Sequence, residues 1–333
     1  MPKTWAFTQA ALIQINLLTK MEVKRFDSTE GNVWKYVFHF EDAIAEAVLY
    51  RYGTFAERTV MCVSVQSGCP VGCVFCGTGK NFIRNLSGSE ILEQVRYLVS
   101  EVEKMEDVAL TRKYGSDVDN QCKKFQIMFM SMGEPMLNWK EMDVAIMLLN
   151  HHYSDAQLLI STIGIDDEDV LYRMLELSAK IKQVGLQFSI HDAFEEDRNK
   201  IMPFKNKLSL RDIRNYGLYW SVVTGRSVYL NYCISKTSGT REKMERLMDL
   251  FDPEHFHFTF SVICEKEEGK ESCNDLAFIH EISDLFLSKG YNVRVFDPAG
   301  KDDIGGGCGQ LWYVQEWMKT YKNKQDGNDR EIQ

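Results

Sequence analysis

From Val60 onward, short apolar runs alternate with segments of helical periodicity. VMCVSVQ at 60–66 alternates apolar and polar positions, the period of a strand. SEILEQVRYLVSEV at 89–102 repeats its apolar residues at helical spacing, with Ser87 or Ser89 as N-cap. The rhythm then recurs. FQIMFMSM (125–132), QLLIST (157–162), LQFSIH (186–191), SVYLNYCIS (227–235) and HFHFTFSVI (255–263) read as strands, with VRVF (293–296) as one more. Between them lie EMDVAIMLLNHH, DEDVLYRMLELSAKIKQ, a helical region broken at Pro203, TREKMERLMDLF, and NDLAFIHEISDLFLSKG ending at Gly290. Repeated strand–helix alternation implies right-handed parallel crossovers in an α/β fold. Six such units suit a partial, TIM-like (β/α)6 barrel better than a closed eightfold one. Active sites of such barrels lie at the C-terminal strand ends.

Residues 21–50 read differently. MEVKRF and VWKYVFHF flank a turn at Glu30-Gly31-Asn32, the pattern of a hairpin, and EAVLYRY at 46–52 adds a strand. The expected division is a short N-terminal extension with a β-hairpin region at 1–57, the barrel at 58–321, and a disordered tail at 322–333. The polar stretch 105–124 is expected to be a surface insertion.

At 333 residues and 44% hydrophobic, the chain can build a large core. No window has the apolar run of about eighteen residues that a membrane helix needs. The N-terminus lacks the pattern of a signal peptide, so a cytoplasmic protein is expected. A net charge of −9 is not the footprint of bulk electrostatic nucleic-acid binding. Arg198, Lys200, Lys205 and Lys207 form a local basic strip, read as a solvated loop. His255 and His257, two apart, are expected on a solvent-facing strand.

Nine cysteines in a chain this long point to metal or catalytic use rather than disulfides. Cys122, Cys233, Cys264 and Cys273 read as ordinary thiols. Three others fall in one rhythm, Cys69-x3-Cys73-x2-Cys76, with Cys62 seven residues upstream. A structural zinc wants four ligands, and the local group supplies three. Three thiolates on a four-iron cluster leave one iron open to chelate a small molecule. The spacing after a first barrel strand, with Phe75 before the last cysteine, resembles the signature of radical S-adenosylmethionine (SAM) enzymes. That resemblance implies a [4Fe-4S] cluster that cleaves SAM to a 5′-deoxyadenosyl radical.

A closer resemblance covers roughly residues 30–313. MCVSVQSGCPVGCVFCGTGK, SMGEPMLN (131–138), STIG (161–164), FSIHDAFEEDRNKIMPFKNK and GKDDIGGGCGQL (300–311) resemble, in order, the motifs of the RlmN/Cfr family of RNA methyltransferases, which methylate adenine at carbon 2 or carbon 8. The resemblance implies two SAM molecules per turnover. One methylates Cys308; the second yields the radical that takes a hydrogen from that S-methyl group. The carbon radical adds to the adenine, and Cys62 resolves the resulting crosslink by forming a disulfide with Cys308. Cys69, Cys73 and Cys76 match the cluster ligands. Gly133 and Glu134 match the residues that hold the SAM amino group. Ser161, Ser189, Ile190 and His191 match further SAM contacts, and Glu46 matches a proposed proton acceptor. Implied partners are RNA, ribosomal or transfer, and an electron donor such as flavodoxin or ferredoxin.

The chain departs from the family in three places. The expectation is that little of the sequence given corresponds to the family's N-terminal accessory domain, which helps bind RNA. VICEKEEG puts Cys264 or Glu265 where the family has Asn-Pro, and KTSGT replaces Gly-Val-Asn-Asp. The same chemistry on a small nucleotide, natural product or peptide is therefore a second expectation. A zinc-bound, non-catalytic interaction protein is a third.

Overall fold

The computed structural model describes residues 22–79, 81–110, 121–268, 274–307, 309–311 and 313–320. The expected tail at 322–333, much of the expected insertion, Cys273 and Cys308 lie outside the described residues. The strands are β1 (Glu22–Asp27), β2 (Val33–His39), β3 (Ile44–Arg51), β4 (Thr59–Val63), β5 (Gln66–Gly68), β6 (Phe82–Asn85), β7 (Phe125–Phe129), β8 (Gln157–Thr162), β9 (Val184–Ser189), β10 (Val228–Cys233), β11 (Phe256–Ser261) and β12 (Val293–Phe296). The helices are α1 (Gly88–Met105), α2 (Trp139–His152), α3 (Glu168–Lys180), α4 (Glu195–Ile201), α5 (Leu210–Thr224), α6 (Arg241–Leu250) and α7 (Leu276–Ser288). Residues 313–320 are also helical.

Ten strands form one sheet in the order β1-β2-β3-β4-β7-β8-β9-β10-β11-β12. Every pairing from β4 to β12 is parallel. This is the expected radical SAM-type partial barrel, with β12 as a further parallel strand. The hairpin β1–β2 and β3 join the same sheet by antiparallel pairing, through β3 to β4. One continuous hydrophobic core runs from Trp34 and Tyr36 in β2 to Val314 and Met318 near the C-terminus.

Local signals start the helices. Ser87 and Glu90 form a reciprocal capping box at α1, while Asp167, Ser209 and Asp275 cap α3, α5 and α7. On β11, Phe256, Phe258 and Phe260 are buried, and Phe258 and Phe260 meet Phe286 of α7. The alternate residues His257, Thr259 and Ser261 line the cavity inside the barrel. His257 is therefore on an inner wall and not on the expected solvent-facing surface. His255 is half-buried, its Nδ1 3.1 Å from the Ser221 hydroxyl. Arg198 also departs from the solvated-loop reading. It is 0% exposed, and its guanidinium donates to the carbonyls of Leu208 and Ile163 at 2.7 and 2.8 Å.

Candidate active site

Beyond β4 the chain turns into a short antiparallel ribbon, β5 with β6, carrying an irregularity between Ser67 and Gly68. The ribbon closes the loop that holds Cys69, Cys73 and Cys76. Backbone bonds shape it: Cys69 N–H to Asn81 carbonyl (2.7 Å), Cys76 N–H to Cys73 carbonyl (3.1 Å), and Gly79 N–H to Cys76 carbonyl (3.2 Å). All three cysteines are half-buried and line a cavity of about 720 Å³. Burial pushes the Cys69 thiol up to about 12 and raises that of Cys73 as well, with repulsion from neighbouring thiols adding at both. Thiols so placed favour a strongly cationic centre. Among the described residues, no three or more His, Cys, Asp or Glu side chains converge as for a single metal ion. A four-iron cluster that takes one thiolate per iron fits a set of three cysteines with one iron left open, whereas a structural zinc wants four ligands.

The loop after β7 lies beside it. Gly133 has φ +101°, and a Cβ there would stand 2.7 Å from that of Gln66, so glycine is required. Glu134 is buried. Its Oε1 accepts from Thr162 Oγ1 (2.5 Å) and the Met136 N–H (3.0 Å), and its Oε2 accepts from the Ile163 N–H (3.0 Å). Burial pushes its carboxyl up to about 7, against these hydrogen bonds. Oε2 keeps a lone pair for a further donor, such as an ammonium.

Ser161, Ser189 and His191 line the same cavity. Ser161 Oγ accepts from Gln187 at 3.0 Å. Ile190 is fully buried and is not among the residues on the cavity wall. His191 has φ +55°, the left-handed region, and its Nδ1 accepts from the Cys233 N–H at 3.0 Å. Burial, with the Arg198 guanidinium adding, pushes it down to about 3. The imidazole is thus neutral, with its proton on Nε2. Its ring meets that of Phe75, from the cysteine loop, edge-on at 4.9 Å.

Cys308 lies outside the described residues, but Gly307 and Gly309 on either side of it both line the cavity. Their segment is held from several directions. The Gly77 N–H donates to the Gly309 carbonyl at 2.6 Å. The Tyr50 hydroxyl donates to the Gly306 carbonyl at 2.5 Å. Gln310 Nε2 donates to the carbonyls of Glu265 (2.9 Å) and Lys301 (2.6 Å). Gln315 donates to the Lys266 carbonyl at 2.8 Å, while Lys266 donates to the Val74 carbonyl at 3.0 Å. The loop that departs from the family pattern at 262–269 thus anchors the C-terminal segment through its described residues. Cys62 faces the same cavity from β4, opposite Met128. Burial pushes its thiol up to about 12, partly offset by the Met130 N–H.

Glu46 is not brought to the cavity wall. Its carboxylate is 0% exposed, 3.4 Å from the equally buried Lys35 ammonium, and accepts from the Val314 N–H at 2.9 Å. Its carbonyl accepts from Ser64 (2.6 Å) and Ser131 (2.7 Å). Its bonds reach the segment after β4, the loop after β7 and the helical segment 313–320, and it does not line the cavity. Motif matching gave no role to Tyr50, to Gln310 or to Gln66, whose Oε1 accepts from the Glu134 N–H at 2.8 Å; the signal for Gln310 was its place in GCGQL.

Comparison with known proteins agrees with this arrangement. The radical SAM superfamily profile matches residues 63–223. A "Probable dual-specificity RNA methyltransferase RlmN" of Dictyoglomus turgidum is 29% identical over 289 residues, 85% of this chain and 76% of the relative. A protein of the same name from Clostridioides difficile is 31% identical over 294 residues, 86% of this chain and 78% of the relative. A radical SAM methyltransferase from Sphaerobacter thermophilus shares the fold, with TM-score 0.74 and 23% identity, covering 93% of this chain and 85% of that one. The chain belongs to the RlmN family: it is a radical SAM methyltransferase, an enzyme that works with a [4Fe-4S] cluster and two molecules of SAM per turnover.

Proposed function

We propose that the enzyme methylates an sp2 carbon of an adenine in RNA, with Cys308 as methyl carrier and Cys62 as resolving thiol. One observation carries this reading: the residues flanking Cys308 line the cavity shared by Cys62 and the three cluster cysteines, and Gly309 is bonded to the cluster loop. The relatives' name supplies the substrate class.

Cys69, Cys73 and Cys76 hold the cluster. Bound there, the cluster and SAM supply one-electron chemistry that can take a hydrogen atom from a methyl group. Gly133 opens the space beside it, and the free lone pair of Glu134 receives the SAM ammonium. Ser161 and Ser189 orient the cofactor, and neutral His191 braces the cluster loop through Phe75. Adenine carbons 2 and 8 are electrophilic, so ordinary polar methyl transfer lacks a nucleophile; a methyl carried on Cys308 sulfur avoids that limit. Exchange with Cys62 requires thiolate attack and access. A one-electron donor, flavodoxin or ferredoxin, completes the system.

The test is mass spectrometry of the Cys308 peptide from cluster-loaded protein supplied with SAM, with nucleoside analysis of RNA from expressing cells. S-methylated Cys308 and methyladenine in RNA are expected. Unmodified Cys308 overturns the carrier role. Methylated Cys308 without methyladenine moves the substrate to a small nucleotide, natural product or peptide.

A further inference from the structure

The cavity does not end beneath the cluster loop. It reaches the opposite, N-terminal mouth of the barrel, where Arg58 precedes β4, Lys124 precedes β7, and Arg294 lies in β12. Tyr52 joins them because its neighbour Arg51 pairs with Thr59 at the start of β4. The Arg58 guanidinium sits over the Tyr52 ring at 4.4 Å. β12 is the last strand of the sheet, yet the curl of the barrel brings Arg294 within electrostatic reach of Tyr52, Arg58 and Lys124. Burial and Arg294 hold Arg58 below its ordinary range. Burial, Arg58 and Arg294 do the same to Lys124.

Among the described residues, no carboxylate forms an ion pair with any of these three cations, in a chain whose net charge is −9. Asp155 also lines this mouth and accepts from Gln121 at 3.1 Å. Arg226, nearby, spends its guanidinium on the carbonyls of Ser178, Lys182 and Val184.

An independent observation concerns the wall. Thr259 is 6% exposed and pairs in register with Arg294; its buried Oγ1 has no hydrogen-bond partner. The buried Nδ1 of His257, two residues earlier on the same face, also lacks one. TIM-like barrels fill this volume with branched apolar side chains. Here polar atoms are left unpaired at a cost, beside cations that repel each other. Arg58 Nε donates to Gln126 Oε1 at 2.9 Å, which leaves its two Nη groups; one ligand relieves both, an oxyanion that takes those groups, the Arg294 guanidinium, the ammonium and the threonine hydroxyl.

We propose that Arg58, Lys124, Arg294, Tyr52 and Thr259 form a binding site for a phosphate-class oxyanion at the N-terminal mouth of the barrel. The anion comes either as free inorganic phosphate or as the phosphate of a small nucleotide, which would extend into the cavity that Cys62 lines. The site stands whether or not the enzyme acts on RNA.

The test is isothermal titration of cluster-loaded, SAM-saturated protein at fixed ionic strength, with sodium phosphate, adenosine monophosphate and adenosine. Saturable one-to-one phosphate binding is expected, weakened roughly tenfold or more by Arg294→Gln and by Lys124→Gln, with SAM affinity unchanged in both. Adenosine monophosphate binding tighter than phosphate, with adenosine inert, assigns the nucleotide; no gain over phosphate assigns the free anion. Absence of saturable binding by both anions, or undiminished binding in the double variant, overturns the site.

Discussion

The Gly77 N–H donates to the Gly309 carbonyl over 2.6 Å, joining the loop of Cys69, Cys73 and Cys76 to the segment that holds Cys308. A Cβ on Gly77 would stand 2.4 Å from Gln315 Nε2, 2.6 Å from the Gln310 carbonyl oxygen and 2.7 Å from that of Gly309. Two of these atoms are backbone, so the segment itself must shift.

Gly77→Ala is therefore expected to leave iron content near wild type while slowing Cys308 methylation by about two orders of magnitude, the cost of an ångström-scale misplacement. Iron analysis and timed mass spectrometry of the Cys308 peptide check it. Wild-type methylation in this variant would mean that the two loops need not be in register.

Glu46 is expected to be a positioning residue. Its buried pair with Lys35 and its bond to the Val314 N–H hold the start of the C-terminal helical segment. Glu46→Ala removes the carboxylate that faces the buried Lys35 ammonium and should cost about 3–5 kcal/mol. Glu46→Gln combined with Lys35→Met removes both charges but keeps an acceptor for Val314. Hydrogen exchange across 313–320 should speed up in Glu46→Ala and stay near wild type in the double variant, which should also retain methylation. A double variant that methylates Cys308 normally yet forms no product would instead make Glu46 the proton acceptor.

The strands and helices were legible because the 2.0 and 3.6 periods survive burial, and the cluster loop because its spacing is rare. What escaped the sequence was direction and distance. Alternation places His255 and His257 on one face of the strand expected at 255–263, but a polar barrel interior reads like a solvent face, so His257 lies on the other side from the one expected. Arg198 looked solvated because its carbonyl partners, Leu208 and Ile163, accept without leaving any mark in composition. The Glu46–Val314 bond joins residues from opposite ends of the chain, beyond any local pattern. Ile190 shares a motif with Ser189 and His191, yet the end of β9 turns it into the core.

His191 should make the protein acid-sensitive. Its folded pKa of about 3 lies below the ordinary value of 6.5. Between those values the unfolded chain binds a proton that the folded chain refuses, so stability is full above about pH 6.5 and falls as the pH drops. His191→Asn preserves an acceptor for the Cys233 N–H and tolerates the left-handed backbone. Urea unfolding at pH 7 and pH 5 should show the variant losing about 2 kcal/mol less than wild type across that interval. Parallel losses in both proteins would mean that His191 is protonated while folded.

Cys62 sets the last expectation. Its thiol, pushed up to about 12 by burial, is a poor source of thiolate at neutral pH, with roughly one molecule in 10⁵ ionised at pH 7. Attack on a sulfur-linked intermediate needs that thiolate. Resolution of the enzyme–substrate crosslink should therefore accelerate about tenfold per pH unit between pH 7 and pH 9, and Cys62→Ser should keep the crosslink at every pH. Rapid quench of a single turnover, followed by mass spectrometry of the Cys308 peptide, measures both. The pH window lies below the Cys62 pKa, so the slope should not bend within it. A pH-independent rate would show that the resolving group is not a buried thiol in the wall of this barrel, and Cys62 would lose that role.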